Sequence, residues 1–329
     1  MSESRAPWLH VRTPHTSSVQ LSIDRLNWSI AQLAECGIHV PAGGRHYQAL
    51  RLLQRVSGGT ETVDLRDAAQ RLRIEEAERS AWELMVIVTA AWNHQHTGGP
   101  FTERRVREAL EGGVVPAEPN PTARNKQFEL YVGALLALGG LVVFDGEPDL
   151  RVQLGHEIIG IAAKRSLTTT VRTVRARVRE AAEQLRRVRE PESRGLTSDS
   201  IALVGGRGFV ALSLDSFYAR DPENAPLDVE AHFSAALDAI APAFRPLVGE
   251  HAVMGVLVFG CLMCWSCPTP DDLPRLDMEL PIQWIAVGDD VERHQGRLLF
   301  QGVIGRLRPK LDTMLASCPR HVIPGPRSL

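Results

Sequence analysis

Two short segments of this 329-residue chain carry the residue types that phosphodiester chemistry uses: Glu147-Pro148-Asp149-Leu150 and Gly160-Ile161-Ala162-Ala163-Lys164-Arg165. Carboxylates can hold a hard, oxygen-seeking cation, and an ammonium group can neutralise charge developing on a phosphoryl oxygen. Side chains alternate between the faces of a strand. Over 148–154, Leu150, Val152 and Leu154 therefore share one face and Asp149, Arg151 and Gln153 the other. Over 157–164, Ile159, Ile161 and Ala163 share one face, and Ile158, Gly160, Ala162 and Lys164 the other. Leu154-Gly155-His156-Glu157 suits a two-residue hairpin with glycine first, a turn that fixes register. Pairing Leu154 with Glu157 and counting back sets Asp149 opposite Ala162 and Glu147 opposite Lys164, all on one face. The plainer alternative is that Asp149 follows proline as turn chemistry and Lys164 ends a solvated edge.

The elements around this hairpin decide whether those groups meet. Residues 125–138 read as a helix that buries Phe128, Val132, Leu135 and Leu136, with Glu129 among them. A carboxylate in such company needs a partner. Gly139-Gly140 ends that helix, and 141–144 reads as a short buried strand. After Lys164, apolar residues recur at Val171, Val174, Val178, Ala181, Leu185 and Val188, the spacing of an amphipathic helix. Its polar side carries Arg172, Arg175, Arg179 and Arg186. Residues 201–204 and 209–214 read as further strands. The order is helix, three strands, helix, strand.

In that order and in these residues the chain resembles the PD-(D/E)xK superfamily of nucleases, with its restriction-endonuclease-like core. The resemblance rests on Glu129 in the first helix, Pro148-Asp149 on the second strand and Ala162-Ala163-Lys164 on the third. It covers 124–215, under a third of the chain, and its motif is short. It implies an α/β fold, an αβββαβ core with a mixed sheet flanked by helices. It also implies Mg²⁺ or Mn²⁺ as cofactor and DNA as the expected partner, with defence against foreign DNA as one setting for such enzymes. By position, Asp149 would be the principal metal ligand, Lys164 the catalytic lysine and Glu129 an auxiliary ligand.

Ala162 departs from the pattern, standing where the family has its second acid. A methyl group cannot bind a hard cation. Glu147 or Glu129 could supply the missing oxygen, with the Ala163 carbonyl as a further metal ligand. Alternatively the site could be catalytically dead and kept for binding, or Ala162 could itself be an inactivating substitution. Arg165, Arg172, Arg175 and Arg179 are the candidate nucleic-acid contacts, through salt-sensitive bonds to phosphate. A solvated helix face paired with Glu180 and Glu183 is the competing reading of those arginines.

Composition sets the outer limits. With 37 basic and 39 acidic residues the net charge is -2, so nucleic acid would have to be met by a local patch. Five cysteines, no leader peptide and no long uncharged apolar run lead us to expect a cytoplasmic protein that does not enter a membrane. Residues 1–16 read as a flexible arm and 17–120 as a helical N-terminal domain, suited to a protein partner or a second copy of the chain. Residues 121–329 read as the nuclease-like domain with a C-terminal extension. Within the helical part, Leu21, Leu26, Ile30 and Leu33 mark one helix and 47–56 a second. Residues 64–92 give a third, capped by Asp64, with Ala68, Ala69, Leu72, Trp82 and Met85 buried. The extension comprises a helix (228–247), strands at 253–263 and 281–287, and a closing helix (296–316). Cys261, Cys264 and Cys267 are expected to be buried structural thiols, since zinc and iron–sulfur sites need about four ligands. The glycines at 205, 206 and 208 are expected in a hairpin turn, and His94 and His96 at a helix end.

Overall fold

The computed structural model describes residues 9–12, 19–61, 67–93, 99–111, 122–154, 156–166, 170–189, 207–214, 229–247, 252–260, 262–266, 275–287 and 290–316. The chain is α/β. A first strand, β1 (Leu9–Arg12), precedes helices α1 (Val19–Glu35), α2 (Arg45–Ser57), α3 (Ala68–Asn93) and α4 (Glu103–Leu110). Then follow α5 (Thr122–Leu138), β2 (Val142–Asp145), β3 (Leu150–Leu154), β4 (Glu157–Ser166), α6 (Val171–Arg189) and β5 (Gly208–Leu214). The remainder is α7 (Val229–Ile240), β6 (Val253–Phe259), β7 (Leu262–Ser266), β8 (Arg275–Ala286) and α8 (Asp290–Ala316).

The strands form one mixed, eight-stranded sheet in the order β1-β8-β6-β5-β4-β3-β2, with β7 paired to β8. β4, β5 and β6 run parallel, and the other pairs are antiparallel. The hairpin register is the expected one, Leu154 facing Glu157 and Leu150 facing Ile161. Strand alternation then sends β4 residues to two different cores. Ile159, Ile161 and Ala163 join a cluster with α1, α2, α3, α5 and α8, while Ala162 joins a second cluster with Val174, Val178, Ala181 and Leu185 of α6. Burial of both faces explains why β6 is apolar throughout and β5 is apolar apart from Ser213.

The helix order around the hairpin follows the expected pattern, α5-β2-β3-β4-α6-β5. Gly140 ends α5 at φ +85°, where a side chain would be strained, and Leu141 N–H closes back on the Leu136 carbonyl at 3.0 Å. Elsewhere the structure differs from expectation in several places. β2 is an edge strand in which Val143 is buried but Val142 is 45% exposed, so it is buried on one side only. The expected flexible arm contributes β1, which pairs with β8 along Leu9–Arg12. α3 starts at Ala68 with Asp67 as its cap, the Asp67 carboxylate accepting from Ala69 N–H at 2.8 Å. Asp64 lies outside the described residues, and Ala69 is exposed.

The expected strand at 253–263 is two strands, β6 and β7, and β8 begins at Arg275, earlier than its expected 281. α7 stops at Ile240 and continues as two single 3₁₀ turns, Ala241–Ala243 and Arg245–Leu247, because Pro242 and Pro246 have no N–H to offer a longer helix. Residues 201–206, His94, His96, Cys261 and Cys267 lie outside the described residues, and Cys264 lies in β7. Among the described residues, no helix is long and apolar enough to cross a membrane.

Candidate functional site

Asp149 sits in the bend 147–149, one residue before β3. The β3–β4 ladder closes at Leu150–Ile161, so beyond it the Ala163 N–H has no ladder partner on that side. Asp149 takes that place: its Oδ2 accepts from Ala163 N–H at 2.8 Å. In a strand, the N–H and C=O of one residue leave on the same side. The Ala163 carbonyl is therefore directed towards Asp149 as well. Asp149 Oδ1 accepts from Gln184 Nε2 of α6 at 2.9 Å, and the same amide donates to the Pro148 carbonyl.

Lys164, next along β4, turns to the α6 face. Its Nζ lies 3.7 Å from Asp149 Oδ2 and 3.6 Å from Glu180 Oε1. Glu180 and Gln184 are one helical turn apart on α6, so one helix face addresses both strand residues. With Ala162 0% exposed beneath α6, the second carboxylate at Lys164 comes from the helix and not from the strand.

Glu129 reaches the same region from α5 but is held by cations. Arg105 Nη2 and Lys126 Nζ each lie 2.8 Å from its Oε2. Arg105 also pairs with Asp145, at the end of β2, and donates to the Asp149 backbone carbonyl at 3.2 Å. Burial pushes the Glu129 carboxyl above its ordinary pKa, and the charge on Asp149 pushes it further; Lys126 and Arg105 pull it back. Burial likewise raises Asp149, against the opposing pull of Lys164, the Gln184 and Ala163 hydrogen bonds, and Lys126. The site is thus two carboxyls in electrostatic contact, both short of solvent, with ammonium groups close by.

The remaining residues singled out from the sequence are dispersed. Glu147 is exposed in the bend, and its backbone carbonyl accepts from Arg151 Nε at 2.8 Å. The ladder ends before it, so Glu147 does not face Lys164 as counted. Arg165 is 7% exposed on the face opposite Lys164 and cannot reach a nucleic-acid backbone as placed. Arg175 is partly buried and donates to the Pro242 carbonyl at 3.2 Å, whereas Arg172 and Arg179 are exposed on α6.

Sequence reasoning missed Arg105, Lys126, Asp145 and Gln184. Lys126 and Gln184 left a signal: Lys126 precedes Glu129 by three residues on one helix face, and Gln184 is an uncharged amide among the charged residues that border the α6 apolar stripe. Arg105 left none, because it comes from an eight-residue helix, α4, that the sequence did not disclose.

Among the described residues, no three His, Cys, Asp or Glu side chains converge as a ready-made metal cage. Of the donors expected from the sequence, the Asp149 carboxylate and the Ala163 carbonyl stand together here, and Glu129 is nearby but paired with its cations. That set suits Mg²⁺ or Mn²⁺ that keeps most of its waters and takes one or two carboxylates plus phosphate oxygens.

No family model, curated protein or solved structure matches the chain. The geometry therefore stands alone.

Proposed function

We propose that this protein is a divalent-cation-dependent nuclease acting on DNA phosphodiester bonds, with a restriction-endonuclease-like core. The observation that carries the reading is the meeting of Asp149 and Lys164 at 3.7 Å, at the end of a hairpin, with Asp149 fixed by two hydrogen bonds. Asp149 and the Ala163 carbonyl would hold Mg²⁺ or Mn²⁺, with Glu129 auxiliary. Such an ion supplies Lewis-acid polarisation of the phosphoryl oxygen and a more acidic bound water.

The chain's own residues do the rest. Ala163 N–H and Gln184 hold the Asp149 carboxylate in one orientation, so no reorganisation is needed when substrate arrives. Lys164, poised between Asp149 and Glu180, would offer its positive charge to a phosphoryl group as that group gains negative charge. The exposed Arg172 and Arg179 of α6 are free to meet flanking phosphates, a contact that weakens as salt rises.

A second reading has its own observation. The Ala162 side chain offers no oxygen, and Glu129 is neutralised by Arg105 and Lys126, as expected of a module that binds nucleic acid without cutting it. One assay separates the two: incubation of the whole protein with duplex DNA, single-stranded DNA and RNA in Mg²⁺ or Mn²⁺. Cleavage that chelator stops, and that Asp149→Ala and Lys164→Ala each lower by about 10²-fold or more, is expected for the nuclease; that is the scale of losing one preorganised electrostatic group. Retention of labelled DNA by wild type with no cleavage of any substrate would establish the binding module instead.

A further inference from the structure

We infer that Arg105 is a positioning residue of this site: it fixes the backbone of the bend that presents Asp149. The catalytic meaning of that role rests on the nuclease reading; the positional role does not. Three observations converge on the guanidinium. It is buried, with its side chain 6% exposed. Its two terminal nitrogens reach acceptors on three separate elements: Glu129 on α5, Asp145 closing β2, and the carbonyl of Asp149 before β3. The β2–β3 ladder also closes at Asp145–Leu150, leaving 146–149 without strand pairing.

That unpaired bend is held from two sides. Gln184 takes the Pro148 carbonyl and Asp149 Oδ1 from the α6 side. Arg105 takes the Asp149 carbonyl and Asp145 from the α5 side. A planar fork can span such acceptors in one fixed geometry, whereas an ammonium group acts as a point charge and cannot. α4 itself is fixed by the Thr102 hydroxyl, which accepts from Arg105 N–H at its first turn. A helix remote in sequence thereby sets where a carboxylate stands on the sheet.

The Ala163 amide reports the result directly, because its proton is bound by Asp149 Oδ2. Hydrogen exchange at single amides is to be measured on the full chain for wild type, Arg105→Gln, Arg105→Lys and the control Arg107→Gln, an exposed neighbour on α4. Arg105→Gln is expected to speed exchange at Ala163 by about tenfold or more relative to the β5 and β6 amides, as selective local opening does. Arg105→Lys is expected to recover only part of the protection, and Arg107→Gln to keep all of it.

Where cleavage is measurable, Arg105→Gln should lower kcat by up to about 10²-fold with KM little changed, the effect of displacing a reacting group by roughly 1 Å. Exchange at Ala163 that changes only in step with β5 and β6, or full recovery with lysine, would overturn the inference and leave Arg105 an ordinary buried ion pair. If Arg105→Gln does not fold, Asp145→Asn takes its place, since the Asp145 side chain is 39% exposed. It should loosen Ala163 in a folded protein, and unchanged protection there counts against the inference. An inert wild type would remove the nuclease reading while the exchange result still decides the role of Arg105.

Discussion

Glu78 is a buried acid whose protonation bears on stability. On α3 it accepts a hydrogen bond from Ser22 of α1, and burial lifts its pKa from 4.5 to about 7 despite that bond and the nearby Arg25. A carboxyl whose folded pKa lies above its unfolded value keeps its proton in the native state while the unfolded chain loses it. Between pH 4.5 and about 7 the native state therefore loses stability as pH rises, and above that the full penalty is present. Glu78→Gln is expected to stabilise the protein at pH 8 by roughly 3 kcal/mol, since a tenfold difference in proton affinity is worth about 1.4 kcal/mol, and by little at pH 4.5. Urea unfolding at the two pH values measures this; an equal effect at both would show that Glu78 does not titrate as described. The sequence offered no sign of Glu78, because its burial arises from α1 packing on α3. Asp149 and Lys164 were legible for the opposite reason: they lie on one hairpin, where a two-residue turn and the strand period fix who faces whom. Counting failed past the last ladder pair, Leu150–Ile161: Asp149, counted opposite Ala162, takes the Ala163 N–H instead, and Glu147 does not face Lys164.

At the scale of elements, α6 is held against the sheet by a close approach at Gly208. A Cβ there would lie well inside contact distance of both the Gly160 carbonyl oxygen and Leu185 of α6. Leu185 adjoins Gln184, which reaches Asp149, so crowding at Gly208 is transmitted to the site. Gly208→Ala is expected to cost about 1–3 kcal/mol, the range for forcing an extra methyl into a packed core. Gly305→Ala, with open space around its Cβ inside α8, should instead gain roughly 0.5–1 kcal/mol from helix propensity. Denaturant melts of the two variants check the contrast, and equal effects would refute the packing account. α5 and α6 were readable from apolar spacing and, for α5, its Gly-Gly stop. α4 was not: it is one short, highly charged helix, and its stability comes from Val106, Ala109 and Leu110 buried against its neighbours. The arginine that organises the bend was hidden with it.

Across the whole molecule, the N-terminal helices and the sheet share one apolar cluster, running from Leu26 and Leu53 through Trp82 and Leu130 to Ile161 and Leu257. Ion pairs cross the same junction, Arg124 to Glu76 at 2.8 Å and Arg105 to Glu129 at 2.8 Å. A division near residue 120 was natural on composition, since it separates a helical stretch from an alternating one. Packing does not respect it, because α3 and α4 lie on α5, and α4 supplies the Arg105 guanidinium that pairs with Glu129. On the proposed function, a divalent cation and a phosphate meet at Asp149 and Lys164. Paramagnetic broadening by Mn²⁺ of the backbone amide signals tests it most directly. The expected result is that the Asp149, Ala163 and Lys164 signals broaden at the lowest Mn²⁺ additions in wild type and stay sharp in Asp149→Asn. Broadening confined to other residues, or the same broadening with Asp149 replaced, would contradict it.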